Sequence, residues 1–196
     1  MSDKITVPAL QAMKHEGRKI VAVVCWDPAT AEVADSAGVE IVSVGDSVVV
    51  SFDELLAFCA AVRRGVRRAL VSCDLPDPSV ERARRLVDDG GADLVKVEGV
   101  DDVRAIAATG IPVFAQIGAA AEAAQMEAAG AALLDFRHSG PEEGAKAVAA
   151  VSIPVLGGLG GGPWLDGRVR AVHRLLDDAL AAYADDVRAG RPVKGD

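Results

Sequence analysis

The sequence predicts an α/β fold, a compact parallel (β/α) barrel of the TIM type, and three observations predict it. Short β-rich runs alternate with helical stretches along the chain, the pattern of strand–helix units around a parallel sheet. Several of those runs, such as Ala-Leu-Val-Ser-Cys at 69–73, are apolar at nearly every position, as strands covered on both faces must be. Three successive runs end on an acid: Asp46 in Val-Gly-Asp-Ser, Asp74 in Val-Ser-Cys-Asp-Leu-Pro and Glu98 in Val-Lys-Val-Glu-Gly. The carboxyl ends of barrel strands form the rim where chemistry takes place.

A short amphipathic stretch, Val7–His15, opens the chain. Strands are then expected at Lys19–Cys25, Glu40–Val44, Ala69–Cys73, Asp93–Val97, Pro112–Ile117, Ala132–Phe136 and Pro154–Gly157. Apolar residues at helical spacing mark helices at Ala29–Ser36, Phe52–Gly65, Pro78–Asp88, Val100–Ala108, Ala119–Ala128 and Pro141–Ala149. Glycines near 38, 91, 110 and 130 stop a helix just before a strand, as a left-handed cap does. A long helical segment, Asp166–Ala189, closes the chain, leaving seven evident strands and an eighth that is short or missing. A (β/α)₈ barrel usually takes ~250 residues, so 196 make a compact one; a doubly wound open sheet is the alternative. The expected organisation is one barrel domain over residues 1–196, with an N-terminal helix at 1–17 and a C-terminal helix at 166–190.

A net charge of −8 and a pI near 4.9 argue against nucleic acid and anionic membrane as partners. Arg63, Arg64, Arg67 and Arg68 cluster on and just after one predicted helix, where a solvated face or an interface explains them. No apolar run reaches membrane-spanning length, and no apolar h-region follows Met1–Lys4. Cys25, Cys59 and Cys73 lack paired or metal-binding spacing, which suits core residues in a reducing cytoplasm. Carboxylates converging from different strands form a hard oxygen site of the kind that holds Mg²⁺. Lys96 and Glu98, two apart on a strand, share a face and bring a cation and an anion together at the rim. His138 is the histidine nearest the rim, whereas His15 and His173 fall on helices. The glycines at 157–162 lack the dinucleotide and P-loop spacings and read as a tight strand-seven rim, with a phosphate cradle as the alternative.

Val-Gly-Asp-Ser (44–47), Arg-Arg-Gly (63–65), Asp-Leu-Pro (74–76), Val-Lys-Val-Glu-Gly (95–99) and Ile-Pro-Val (111–113), in that order, resemble ketopantoate hydroxymethyltransferases. The opening Lys-Ile-Thr-Val-Pro-Ala-Leu-Gln-Ala-Met-Lys and the glycine-rich run from Ser152 resemble the same family. The resemblance implies a metal-dependent barrel of the phosphoenolpyruvate mutase and isocitrate lyase superfamily. That family moves a hydroxymethyl group from methylenetetrahydrofolate to a branched 2-oxo acid. It implies Asp46 and Asp74 as Mg²⁺ ligands, Glu98 as holder of a metal-bound water, and Ser47 and Lys96 as groups around the substrate carboxylate. It also implies a homo-oligomer.

Four positions depart from the family pattern. Arg137 stands where the family has its glutamate base, Gln116 replaces a histidine and Trp26 a tyrosine, and only Val48, Val49 and Val50 separate Ser47 from the next helix. Arginine stays protonated and cannot take a proton from carbon. Arg137 then either pairs with Asp135 on the same strand face or binds a second carboxylate or phosphate with its fork. Arg137, His138, Lys96 and Glu98 are the expected catalytic groups; Ser47, Lys96, Gln116, Arg137 and Trp26 the expected substrate contacts. The expected function is Mg²⁺-dependent C–C bond chemistry on a 2-oxo acid through a stabilised enolate, with substrate or step altered from the family's. The alternatives are the family's own hydroxymethyl transfer and a non-catalytic relative acting as a binding module or partner subunit.

Overall fold

A computed structural model describes residues 3–45, 50–158 and 162–192. Eight parallel strands close into a barrel in sequence order: β1 (Ile20–Val24), β2 (Ile41–Val44), β3 (Leu70–Asp74), β4 (Leu94–Val97), β5 (Val113–Ile117), β6 (Leu133–Phe136), β7 (Val155–Gly157) and β8 (Gly167–Ala171). The helices between them are α2 (Pro28–Ser36), α3 (Phe52–Gly65), α4 (Val80–Asp88), α5 (Val100–Ala107), α6 (Ala123–Ala128) and α7 (Pro141–Ala150), with α1 (Val7–His15) before the barrel and α8 (Val172–Arg188) after it.

Local sequence sets the helix starts. The Asp27 carboxylate accepts from the Ala29 and Thr30 backbone N–H groups at 3.0 Å each, with Pro28 at the first turn. Ser51 and Glu54 form a reciprocal capping box on α3. At the helix stops, Gly38 and Gly110 take φ of 90° and 86°, the left-handed turns expected there.

The eighth strand corrects the expectation of a short or missing one. The segment assigned to the start of the last helix is instead β8, as long as β1, and it pairs with β1 from Ile20↔Gly167 to Val24↔Ala171. Gly167 permits this contact, since a Cβ there would lie 2.3 Å from the Ile20 carbonyl oxygen. Arg168 and Arg170 alternate outward into solvent because no helix among the described residues covers this part of the wall, where Val21 is also exposed. β8 therefore lacks the all-apolar signature of the other strands. Closure also means that the sheet has no truncated edge of the kind a missing eighth strand would leave.

Two apolar layers hold the barrel. One lies between sheet and helices and includes Cys25, Cys59 and Cys73, all buried and free. Burial pushes the Cys25 thiol up to about 11; hydrogen bonding to Cys59 and then burial raise that of Cys73 well above its ordinary value. Neither is poised as a nucleophile. The second layer fills the lower barrel interior with Ile20, Ile41, Leu70, Leu94, Phe114, Leu133 and Leu156. Leu10 and Met13 of α1 plug it from below. Lys14 secures that plug through the Val148 and Ile153 carbonyls, at 3.1 and 2.8 Å, and Asp166 at 3.1 Å. Among the arginines at 63–68, Arg63 pairs with Asp93 at 2.8 Å and Arg68 donates to the Val39 carbonyl at 2.6 Å. No helix among the described residues is long and apolar enough to cross a membrane.

Candidate active site at the carboxyl rim

Above the apolar floor the same strands turn polar. Inward positions recur every second residue, so Leu70 is followed by Ser72 and Asp74, Leu94 by Lys96 and Glu98, Phe114 by Gln116, and Leu133 by Asp135 and Arg137. Ser43 and Ser72 share a buried hydrogen bond at 3.2 Å and mark the transition. Interstrand register sets Asp74 beside Lys96, Lys96 beside Phe114 and Gln116 beside Asp135.

Lys96 is the hub. Its ammonium lies 3.0 Å from Asp135 Oδ2 and 3.5 Å from Asp74 Oδ1, and 5.0 Å above the centre of the Phe114 ring. Its side chain is 5% exposed. Burial pulls its pKa down, but Asp74 and Asp135 outweigh burial and the repulsion of Arg137, so the net shift is upward and the lysine stays charged at neutral pH. Lys96 and Glu98 both line the rim cleft but have different partners: Lys96 meets Asp74 and Asp135, while Glu98 accepts a hydrogen bond from the Gln116 amide. Asp135, treated in the sequence chiefly as a partner for Arg137, is instead the nearest partner of Lys96. Among the described residues its Oδ1 is buried without a hydrogen-bond partner.

Arg137 follows β6. Its Nη2 is 4.0 Å from Asp74 Oδ2 and its Nε 3.9 Å from Asp135 Oδ2, ion-pair distances too long for hydrogen bonds. A cleft of about 790 Å³ opens over this network, lined on one side by Trp26, Leu55, Leu75 and Pro76 and on the other by Lys96, Glu98, Gln116 and Arg137. Trp26 packs edge-on against Phe58 at 5.3 Å. A smaller adjoining cleft, about 560 Å³, shares Glu98, Gln116 and Arg137 and adds His138, which is exposed and has φ of 57°.

Asp46 and Ser47, and Leu159, Gly160 and Gly161 of the glycine-rich run, lie outside the described residues. The residue before them, Gly45, is pressed against Asp74: a Cβ there would fall 2.1 Å from the Asp74 carboxyl carbon. Among the described residues no group of three or more His, Cys, Asp or Glu side chains is placed to hold a metal ion.

A model of the ketopantoate hydroxymethyltransferase family matches residues 4–123. The chain belongs to that family. The 3-methyl-2-oxobutanoate hydroxymethyltransferase of Methylococcus capsulatus is 30% identical, over 97% of this chain and 95% of its own length. That of Moorella thermoacetica is 32% identical, over 96% and 95%. Two solved structures share the fold. Oxaloacetate acetylhydrolase superposes with a TM-score of 0.71 at 12% identity, covering 95% of this chain and 87% of that one. For 2,3-dimethylmalate lyase, a member of the phosphoenolpyruvate mutase and isocitrate lyase superfamily, the TM-score is 0.69 at 15% identity, covering 96% and 90%. The family-model match ends before β6, so Asp135 on that strand and Arg137 just after it lie beyond the match.

Proposed function

We propose that this hydroxymethyltransferase-family chain is a divalent-metal-dependent enzyme that makes or breaks a C–C bond beside the carbonyl of a 2-oxo acid. One observation carries the reading: two carboxylates and two permanent cations interlock at the floor of a cleft on the catalytic face of a barrel. The residues suit Mg²⁺ by donor chemistry, since Asp74 presents a hard oxygen ligand at the cleft and Asp46 follows directly on the glycine packed against it. Asp46 and Asp74 would hold the ion, with Glu98 reaching it through water. When bound, the cation supplies Lewis-acid stabilisation of negative charge on the 2-oxo oxygen. Phosphonopyruvate hydrolase, a relative by fold at 16% identity and a TM-score of 0.66, was solved with oxalate and Mg²⁺.

The chain's own groups divide the remaining work. Lys96, charged and fixed by two carboxylates, steadies the substrate carboxylate with Ser47. Trp26 and Gln116 flank the substrate. Neither Lys96 nor Arg137 takes a proton at neutral pH, so proton movement falls to Glu98, facing the cleft, and His138 beside it. The family's own reaction, hydroxymethyl transfer from methylenetetrahydrofolate, is favoured as a second reading by the near full-length identity to its relatives. The cation at position 137 weighs against it. Free, buried cysteines suit a cytoplasmic enzyme. A homo-oligomer is supported by α8, which buries none of its residues and exposes Leu176, Leu180, Tyr183 and Val187 along one stripe.

Two measurements test the proposal. Replacing Asp46 and Asp74 together with alanine should abolish Mg²⁺ binding in calorimetry. Incubating the protein with Mg²⁺ and a panel of 2-oxo acids in D₂O should reveal deuterium exchange at C3 or bond cleavage. A protein that exchanges and cleaves none of them is the non-catalytic relative.

A further inference from the structure

We infer that Arg137 forms a second-anion subsite, so that the preferred ligand is a 2-oxo acid carrying another anionic group rather than a branched monocarboxylate. The inference rests on the 2-oxo acid reading above and specifies its substrate class. It starts from how the guanidinium is held. A structural arginine–carboxylate pair closes to hydrogen-bond distance, about 2.7–2.9 Å and frequently in two parallel bonds, as Arg63 does with Asp93 at 2.8 Å. Among the described residues Arg137 has only the two ion-pair contacts at 3.9 and 4.0 Å. Both carboxylates lie closer to Lys96, at 3.0 and 3.5 Å, so Asp135 has its neutralising partner without Arg137. The guanidinium, with five N–H donors, therefore makes no hydrogen bond to either carboxylate, on a side chain 34% exposed at the junction of the two clefts.

The walls support the same direction. On the side of β1 to β3 the cleft is apolar, with Trp26, Leu55, Leu75 and Pro76. Toward β5 and β6 it is polar, and the adjoining space beyond Arg137 offers Gln116, Gln125 and His138 beside two carboxylates that already have donors, Glu98 from the Gln116 amide and Glu122 from the Gly118 and Ala119 N–H groups. A ligand whose keto-acid end sits near Asp74 and Lys96 and whose far end extends toward β6 meets a planar cation with open donors. A branched alkyl end there would leave those donors without acceptors, whereas a carboxylate or phosphonate supplies them. A site built for a polar group rejects the analogue lacking it far more strongly than an apolar pocket rejects a missing methylene.

Calorimetric titration with Mg²⁺ present, using 3-methyl-2-oxobutanoate, 2-oxopentanedioate and 3-phosphonopyruvate, tests the inference without relying on turnover. The expected result is that at least one dianionic ligand binds roughly 10–100-fold more tightly than the monocarboxylate, the span expected of hydrogen bonds to a charged group. Arg137→Met should erase that preference while monocarboxylate affinity stays within about threefold, and Arg137→Lys should keep part of it. The Lys variant also serves if the Met variant does not fold. Tightest binding of 2-oxopentanedioate identifies the second anion as carboxylate, and of 3-phosphonopyruvate as phosphonate. Equal affinity for all three, or a preference that survives Arg137→Met, overturns the subsite alone. Binding of no 2-oxo acid overturns the reading beneath it.

Discussion

Both ends of this barrel are ringed with carboxylates, and the two rings differ in what satisfies them. At the amino ends of the strands every one of these acceptors takes backbone N–H groups, with the side-chain cations Lys4 and Arg63 added at Asp93 and Lys14 at Asp166. Asp35 takes the N–H groups of Arg67, Arg68 and Ala69, the last at 2.7 Å; Asp93 takes that of Val71 at 2.9 Å; Glu127 takes Ser152 and Ile153; and Asp166 takes Val155 at 2.9 Å. Each staples a loop or helix end to the start of a strand. At the carboxyl ends, Asp74 and Asp135 face the side-chain cations Lys96 and Arg137, and one buried oxygen of Asp135 has no hydrogen-bond partner among the described residues. Backbone N–H groups cannot be exchanged for a ligand without unfolding something. Side-chain partners held at ion-pair distance can. The comparison separates carboxylates that build the barrel from carboxylates that are available to chemistry.

The largest way to break that distinction is at its hub. Lys96→Met removes the cation and leaves Asp135 buried beside an apolar chain, which should cost about 3–5 kcal/mol in denaturant unfolding. Replacing both partners, Lys96→Met with Asp135→Leu, should return most of that stability while abolishing ligand binding. A single variant losing under about 1 kcal/mol would mean that the network is far wetter than its burial implies. The floor offers the matching control. Met13→Ala opens space beneath the barrel and should cost about 2–5 kcal/mol, yet it should leave Mg²⁺ affinity unchanged, since the plug touches only the apolar layer.

This division was partly legible in the sequence. The inward face of each rim strand followed from its period of two, which put Asp74, Lys96, Glu98, Gln116 and Arg137 at one end of one fold. Which of them pair did not follow. Lys96 meets Asp74 and Asp135 rather than Glu98 because interstrand register sets the side chains at matching heights, and register is not a local property. β8 escaped for a related reason. Its Gly-Arg-Val-Arg-Ala alternation is that of a strand open on one face, and it runs without a break into α8. The stapling role of Asp35 was equally hidden, since it depends on a strand start more than thirty residues away.

The stapling ring can itself be weakened one member at a time. Asp35→Ala removes acceptors from three backbone N–H groups and should cost about 1–3 kcal/mol, with no change in ligand affinity. An effect on affinity as large as that on stability would show that the two rings are coupled through β3.

The finest comparison is in pH. Burial raises the pKa values of Asp35 and Glu127, but backbone donors, joined at Glu127 by the Ser152 hydroxyl, outweigh it, so both carboxyls sit below their ordinary values. Their contribution is present above those ordinary values and fades as pH falls through the folded ones. Lys96 has the opposite sign: its pKa lies above 10.5, so its contribution is complete below that value and fades as pH rises through the folded one. The amino-end ring should therefore set part of the acid limit of stability and the carboxyl-end network part of the alkaline limit. Unfolding measured from pH 3 to 12 should show Asp35→Ala with a shallower acid decline and an unchanged alkaline one. The paired Lys96→Met, Asp135→Leu variant should do the reverse. Either variant altering both limbs equally would place the two rings in one electrostatic unit.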